Sequence, residues 1–397
     1  MTSNPETDFR EKVIDDSTSL TEFNMPKILC VGRTCLDIVQ TCQQFPAEDS
    51  TQRSIDYRWQ RGGNASNTCT VLSLLGQSCE LLACLSADEH NNNFMQNDLH
   101  KYKIDYSHCP ILKGVDCPIA TIILSLNTGT RTIIYHNQNL PELTIKNFEQ
   151  LNLAEYSWIH FEGRNIDQML LMIQHIENYN NSLNSTHELS KKHMPITISM
   201  ELENPKSSSR LLDLLSYADV TFIAKDFAKN QGFNNMKEVI HTIGQDVRLR
   251  GAIICAWGEE GAIARTPCGG RVQSPAFPPH KVIDTLGAGD TFNAGVLYYL
   301  NKSKIEFIHK GKPTYANDTN KLCDGTIGGS TVVRQGKDKY LNIENVEYNR
   351  TKFIDEITLQ EAIKFACCIA GTKVGSRGYE CLANFSPNQI SQLDSST

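Results

Sequence analysis

Short apolar runs recur along this chain, separated by stretches of helical period. Lys27–Gly32, Glu80–Leu85, Tyr156–Phe161, Ile196–Met200, Val220–Ala224 and Ala252–Trp257 each read as a buried strand. Helical patterns such as Ile166–Glu177 and Met236–Ile243 lie between them. This alternation predicts an α/β fold with a central, mostly parallel sheet and helices on both faces. Pro118–Leu126 and Arg131–His136 follow a different rhythm. They are β-branched runs joined by Asn127–Thr130, a hairpin signal with one Gly. With the β-rich stretch around Ser50–Trp59, they predict a small antiparallel subsheet outside the parallel core. A lid over a ligand is its economical role.

Polar stretches punctuate the pattern. Residues 1–24 and 386–397 read as tails, and Asn178–His193 as a surface loop. Residues 304–356, rich in Gly and Asn without helical period, read as an irregular insertion, after which a helix resumes near Thr358. The expected core unit is therefore 25–303 plus 357–385, with the lid drawn from about 38–60 and 115–138.

Composition narrows the class. The chain has 397 residues, 40% hydrophobic and 21% charged, enough for a large α/β core. Its net charge of −7, without a block of Lys or Arg, argues against nucleic acid or an anionic membrane as partner. The N-terminal stretch lacks the apolar segment of a signal peptide, and no apolar run is long enough to span a bilayer, so a cytoplasmic location is expected. The 14 cysteines are scattered, and Cys30, Cys69, Cys84 and Cys255 fall in apolar segments as small core residues. The 11 histidines show no zinc-ligand spacing, and no metal-binding side chains are expected.

The candidate chemistry centres on Val282–Gly295, V-I-D-T-L-G-A-G-D-T-F-N-A-G. Gly287, Ala288 and Gly289 form a small-residue turn running into a helix. Its unpaired N–H groups suit an anion. Asp290 at the same place can accept a proton from a hydroxyl that receives a phosphoryl group. The plainer reading is a Gly-rich turn with Asp290 as the helix cap. Asp37, beyond the first strand, is either a carboxylate accepting hydrogen bonds from a polyol or a turn residue. After Gly62 and Gly63, Asn64 and Asn67 share one helical face, with Asn64 able to cap that helix and Gly76 to stop it. Two amides there suit a polyol; otherwise one caps and the other is merely exposed. Arg131, at the base of the hairpin, either reaches a phosphate or is an ordinary strand-end residue. Gly258, Glu259, Glu260 and Gly261 form a loop at a strand's carboxyl end, a nucleotide contact or a plain turn.

Asp284–Asp290, D-T-L-G-A-G-D, resembles the C-terminal signature of the ribokinase-like (PfkB) carbohydrate kinases. Trp59–Asn67, Trp158–Asn165 and Cys255–Ala262 are together more specific to the ketohexokinase branch. The resemblance runs from about Lys27 to Lys304 and again from Thr358 to about Tyr379. It implies a three-layer sandwich with a β-lid that pairs two subunits as a homodimer. It implies ATP-dependent conversion of D-fructose to fructose 1-phosphate, with Mg²⁺ and stimulation by K⁺. Asp290 would be the base, and Gly287, Ala288 and Gly289 the anion hole. Asp37, Gly63, Asn64, Asn67 and Asp290 would hold the ketohexose. Arg131, Gly258, Glu259, Glu260 and Gly261, with the Gly287–Asp290 turn, would contact ATP. One departure is that the wider family's N-x-x-E motif is missing; Ala224-Lys-Asp-Phe-Ala stands in its place. Mg²⁺ would then rely on water and ATP oxygens. The alternatives are another sugar or nucleoside kinase of this fold, or a silent sugar sensor.

Overall fold

Eight strands form the central sheet of the computed structural model, which describes residues 26–185, 194–203, 208–244, 251–309, 350–383 and 385. In chain order the strands are β1 (Lys27–Val31), β2 (Cys35–Cys42), β3 (Asp56–Gly62), β4 (Cys79–Leu82), β5 (Leu85–Ser86), β6 (Ile111–Leu112), β7 (Ile119–Ser125), β8 (Thr130–His136), β9 (Tyr156–Glu162), β10 (Thr197–Leu202), β11 (Val220–Ala224), β12 (Ala252–Ala256), β13 (Ala262–Arg265) and β14 (Arg271–Ser274). The large sheet runs β14-β13-β12-β11-β10-β9-β1-β4. It is parallel from β4 to β12, and β13 and β14 add an antiparallel edge that the apolar pattern did not reveal.

Both faces of the sheet are covered. Ile28 and Cys30 of β1 point into one apolar layer, Leu29 and Val31 into the other, as the two-residue period of a strand requires. The first layer includes the helices Asn64–Leu74, Ala288–His309 and Glu356–Val374; the second includes Ile166–Ser185 and Met236–Ile243. Cys30, Cys69, Cys84 and Cys255 are all buried within these layers. The α/β expectation, three layers around a mostly parallel sheet, holds.

The lid is a separate sheet ordered β3-β2-β7-β8. It is mixed rather than antiparallel, because β2 pairs with β7 in parallel. The chain enters β2 directly from β1 and comes back alongside it only after a long crossover, the connection that parallel pairing needs. Asp37 therefore sits inside a strand and not in a turn.

Three other expectations change. The Asn178–His193 stretch is helical through Ser185. Its polarity misleads because Asn180 is fully buried: its amide donates to Ile196 O at 3.0 Å and accepts from Ile196 N at 2.8 Å. The proposed insertion begins inside a helix, which runs on to His309 with Lys304 and Ile305 buried. The insertion also ends early, because Arg350, Phe353 and Ile354 are buried and Asp355 caps the next helix by accepting from Thr358 N at 2.7 Å. The remainder of that insertion, the 1–24 and 386–397 tails and residues 186–193 lie outside the described residues.

Candidate active site

The Ala288–His309 helix starts at the carboxyl ends of the parallel strands. Its first helical bond runs from Thr291 N to Gly287 O at 2.9 Å, and the Thr291 hydroxyl donates to the same oxygen at 2.8 Å. Gly287 has φ +73°, a left-handed conformation that favours glycine. Asp290 is thus the third helical residue, not the cap. Of the three turn residues, Ala288 N bends back to Thr285 O at 3.3 Å. The N–H groups of Gly289 and Asp290 belong to the first turn, where the helix offers no carbonyl of its own to bond them. A Cβ added at Gly289 would meet nothing within 4 Å.

Asp290 itself is buried, and Asn67 Nδ2 donates to its Oδ2 at 2.8 Å. Burial first, then the negative charges of Glu203 and Glu162, push its carboxyl up to about 7, against the pull of Asn67 and Arg131. A carboxylate in that range accepts and releases protons near neutral pH.

Gly63, with φ +95°, occupies the cap position of the Asn64–Leu74 helix, so Asn64 is not its cap. A Cβ on Gly63 would lie 2.4 Å from Arg33 O and 2.8 Å from Thr34 Cα. Freed from capping, the Asn64 amide donates to Glu201 Oε1 at 2.8 Å and also to Glu203. The helix ends where Gly76 takes φ +84°.

Asp37 is buried in β2, opposite Gln60 of β3. A Cβ on Gly62 would sit 2.1 Å from Asp37 Oδ1, so the first glycine of the pair makes room for this carboxylate. Burial raises Asp37 to about 6, opposed by the Cys35 thiol, Gln60 and the charges of Arg58 and Arg61. The structure therefore brings Asp37, Gly63, Asn64, Asn67 and Asp290 to one end of the sheet.

Three further acids stand there that the motifs did not single out. Glu162 ends β9 and accepts Arg33 N–H at 2.9 Å. Glu201, in β10, accepts from Asn64 and from Asn293 Nδ2, the latter at 2.7 Å. Burial and the charges of Glu203, Asp290 and Glu162 hold Glu201 well above the usual carboxylate range. Glu203 follows β10 and is exposed. The signal in the sequence was positional: each acid closes an apolar run, at the strand end where such sheets bind ligands.

Arg131 lies exposed in β8 opposite Leu124, and its charge reaches Asp290. Gly258–Glu260 forms one turn of 3₁₀ helix beyond β12 and is exposed. A Cβ on Gly261, which has φ +85°, would lie 2.1 Å from Ser274 O, so glycine lets that turn pack against the end of β14. Glu259 pairs with Lys225, just past β11, at 2.6 Å. This turn is set apart from Asp290's group, three strands along from β9. Among the described residues, no three Asp, Glu, His or Cys side chains are grouped to hold a metal ion by themselves. No helix among them is long and apolar enough to cross a membrane.

The family model for pfkB family carbohydrate kinases matches residues 25–306. A ketohexokinase from Mus musculus is 35% identical over 356 residues, covering 89% of this chain and 98% of the relative. A nucleoside kinase from Methanocaldococcus jannaschii is 24% identical over 284 residues, 69% of this chain and 83% of the relative. Among solved structures, ribokinase from Giardia lamblia aligns with a TM-score of 0.68 at 15% identity, over 94% of this chain and all (100%) of that one. Arabidopsis thaliana ribokinase complexed with ribose and ATP aligns with a TM-score of 0.60 at 14% identity, over 93% and 98%. With a family model spanning most of its length and a relative matched nearly end to end, the chain belongs to the pfkB family of carbohydrate kinases, within its ketohexokinase branch.

Proposed function

We propose that this kinase transfers the γ-phosphoryl group of ATP to the C1 hydroxyl of a ketohexose, D-fructose first. The observation that carries the reading is Asp290: a buried carboxylate poised near neutrality, in the first turn of its helix and held by Asn67. Asp37, Asn64 and Asn67 fix the sugar's hydroxyls. As the O–P bond forms and the bond to the ADP oxygen breaks, Asp290 accepts the hydroxyl proton late in the step. The N–H groups of Gly289 and Asp290 stabilise the charge on the phosphoryl oxygens, and positioning supplies most of the acceleration. Arg131 and the Gly258–Gly261 turn contact the nucleotide, with Lys225 offering a further cation beside that turn.

Mg²⁺ arrives with ATP in this reading and neutralises phosphate charge. Glu162 and Glu203, whose charges already bear on Asp290, suit its water shell. Stimulation by K⁺ belongs to the same reading, without an assigned ligand. The lid excludes water from the reaction. It also carries exposed Tyr57, Trp59, Ile133 and Ile134, an apolar surface that supports pairing with a second subunit. The reaction is placed in the cytoplasm.

The test is ADP release by the purified protein with Mg-ATP, with and without D-fructose, and NMR identification of the product. Fructose 1-phosphate is the expected product. Turnover with ribose or a nucleoside instead would move the substrate within the family. Fructose binding without turnover on any sugar would overturn the kinase reading in favour of a sensor.

A further inference from the structure

Two side-chain atoms near Asp290 are buried yet have no hydrogen-bond partner: Asn67 Oδ1 and Tyr379 Oη. Asn67 already spends its Nδ2 on Asp290, leaving its acceptor free. Tyr379 comes from the last part of the described chain, and its side chain is 6% exposed. Its hydroxyl lies against the active turn, because a Cβ on Gly287 would be 2.0 Å from Tyr379 Oη. The charges of Asp290, Asp37 and Asp284 all bear on the phenol, and burial with these charges holds it protonated, as a donor. Lys373 anchors the ring from another side, its Nζ 5.5 Å from the ring centroid while also donating to Asp284 O at 2.9 Å.

A buried hydroxyl without a partner is costly unless something completes it. We infer that Tyr379 is a substrate-contacting residue, whose phenol donates a hydrogen bond to a hydroxyl oxygen of the bound sugar between Asp37 and Asp290. A sugar hydroxyl is both donor and acceptor. It can accept from Tyr379 while giving its own proton to Asn67 Oδ1 or to a carboxylate. The assignment also accounts for Gly287 beyond its backbone angle, since any side chain there would displace the phenol. This inference rests on the ketohexose reading for the identity of the sugar, but not for the presence of a polyol.

Tyr379→Phe keeps the ring and removes only the donor. Kinetics are measured for wild type and variant on D-fructose and on a series lacking one hydroxyl each, such as the 3-, 4- and 6-deoxy sugars and 2,5-anhydro-D-mannitol. The expected result is a loss of about tenfold in kcat/KM on fructose. One analogue should lose as much with wild type and suffer no further loss with the variant, the signature of coupled partners. Unchanged kinetics would overturn the contact. So would an equal loss on every analogue with a lowered melting temperature, which marks a structural hydroxyl satisfied by water. Wild type is assayed first. If it ignores fructose but phosphorylates another sugar, the substrate reading fails by itself, and the same comparison on that sugar's deoxy series decides the role of Tyr379.

Discussion

The two ends of the parallel sheet handle charge in opposite ways. At the amino ends of the strands, opposite charges meet. Lys27 Nζ contacts Glu80, Asp105 and Glu155 at 3.2, 2.8 and 3.1 Å. Tyr156 donates to Glu80 at 2.9 Å. Nearby, Arg350 grips Glu177 with two bonds of 3.0 and 2.9 Å and lies 3.3 Å from Asp219. Lys304 donates to Ser157 O, Pro195 O and Thr197 Oγ1 at 2.7, 2.5 and 2.9 Å. At the carboxyl ends, acids gather instead: the charges of Glu162 and Glu203 raise the proton affinity of both Glu201 and Asp290. Matched charges hold an element in place and leave little field over. Acids crowded together cost stability, and persist where a ligand or a reaction uses their field.

The largest test of that contrast is Asp290→Asn. It preserves the shape of the carboxamide site but removes the proton acceptor, so kcat should fall by about 10²–10⁴. Stability should move the other way. The folded carboxyl, at about 7, lies above its ordinary value of 3.8. Its contribution to stability is therefore complete below 3.8 and lost as pH rises through 7, so the ionised form is a burden at pH 8. The neutral Asn lifts that burden, and the melting temperature at pH 8 should rise. A variant that is both inactive and less stable would show that Asp290 serves the fold.

Lys304→Met probes the opposite end. It takes the donor from Ser157 O, Pro195 O and Thr197 Oγ1, so the unfolding free energy should drop by about 1–3 kcal/mol at pH 7 while KM for the sugar stays put. The wild-type group has its own pH signature. Burial, aided by Arg350 and resisted by Asp219, lowers Lys304 from 10.5 to about 7. Across that interval the unfolded chain holds the extra proton, so this group makes stability rise with pH between about 7 and 10.5. Urea unfolding at pH 7 and 9.5 should show the gain in wild type and its absence in the variant. A change in sugar KM without loss of stability would mean that the two ends are not separate in function.

Local pattern made the parallel strands, the hairpin and the Gly287–Asp290 turn legible, because burial on both faces and left-handed backbone leave marks within a few residues. β2 was legible only as part of the lid's span and not as a strand, because its parallel partner β7 lies far along the chain. Asn180 escaped because its burial depends on Ile196. The positions of Asp37, Asn64 and Asn67 were readable from glycine spacing, but not their partners: the room beside Asp37 is explained only when Gly62 is seen against it. Glu162 and Glu201 come from separate strands, and Tyr379 from the segment that follows the Glu356–Val374 helix. No local spacing encodes such an assembly.

The finest probe of the acidic end is Glu203→Gln. If the cluster raises Asp290, wild-type kcat/KM should fall on the acid side near pH 7, where Asp290 takes up its proton. Removing the Glu203 charge should move that limb to lower pH by less than about one unit, a few-fold change in rate at a fixed pH near 6. Glu203 is exposed, so salt screens it, and the shift should shrink at about 1 M NaCl. Because Glu203 also accepts from the Asn64 amide, a modest rise in sugar KM should accompany the shift. The two effects separate in the measurement: the limb follows pH and salt, whereas the KM term follows the sugar. A limb that stays at its wild-type position, with only KM altered, would leave burial alone as the cause of Asp290's proton affinity. The crowding of acids at this end would then be a matter of sugar binding and not of proton transfer.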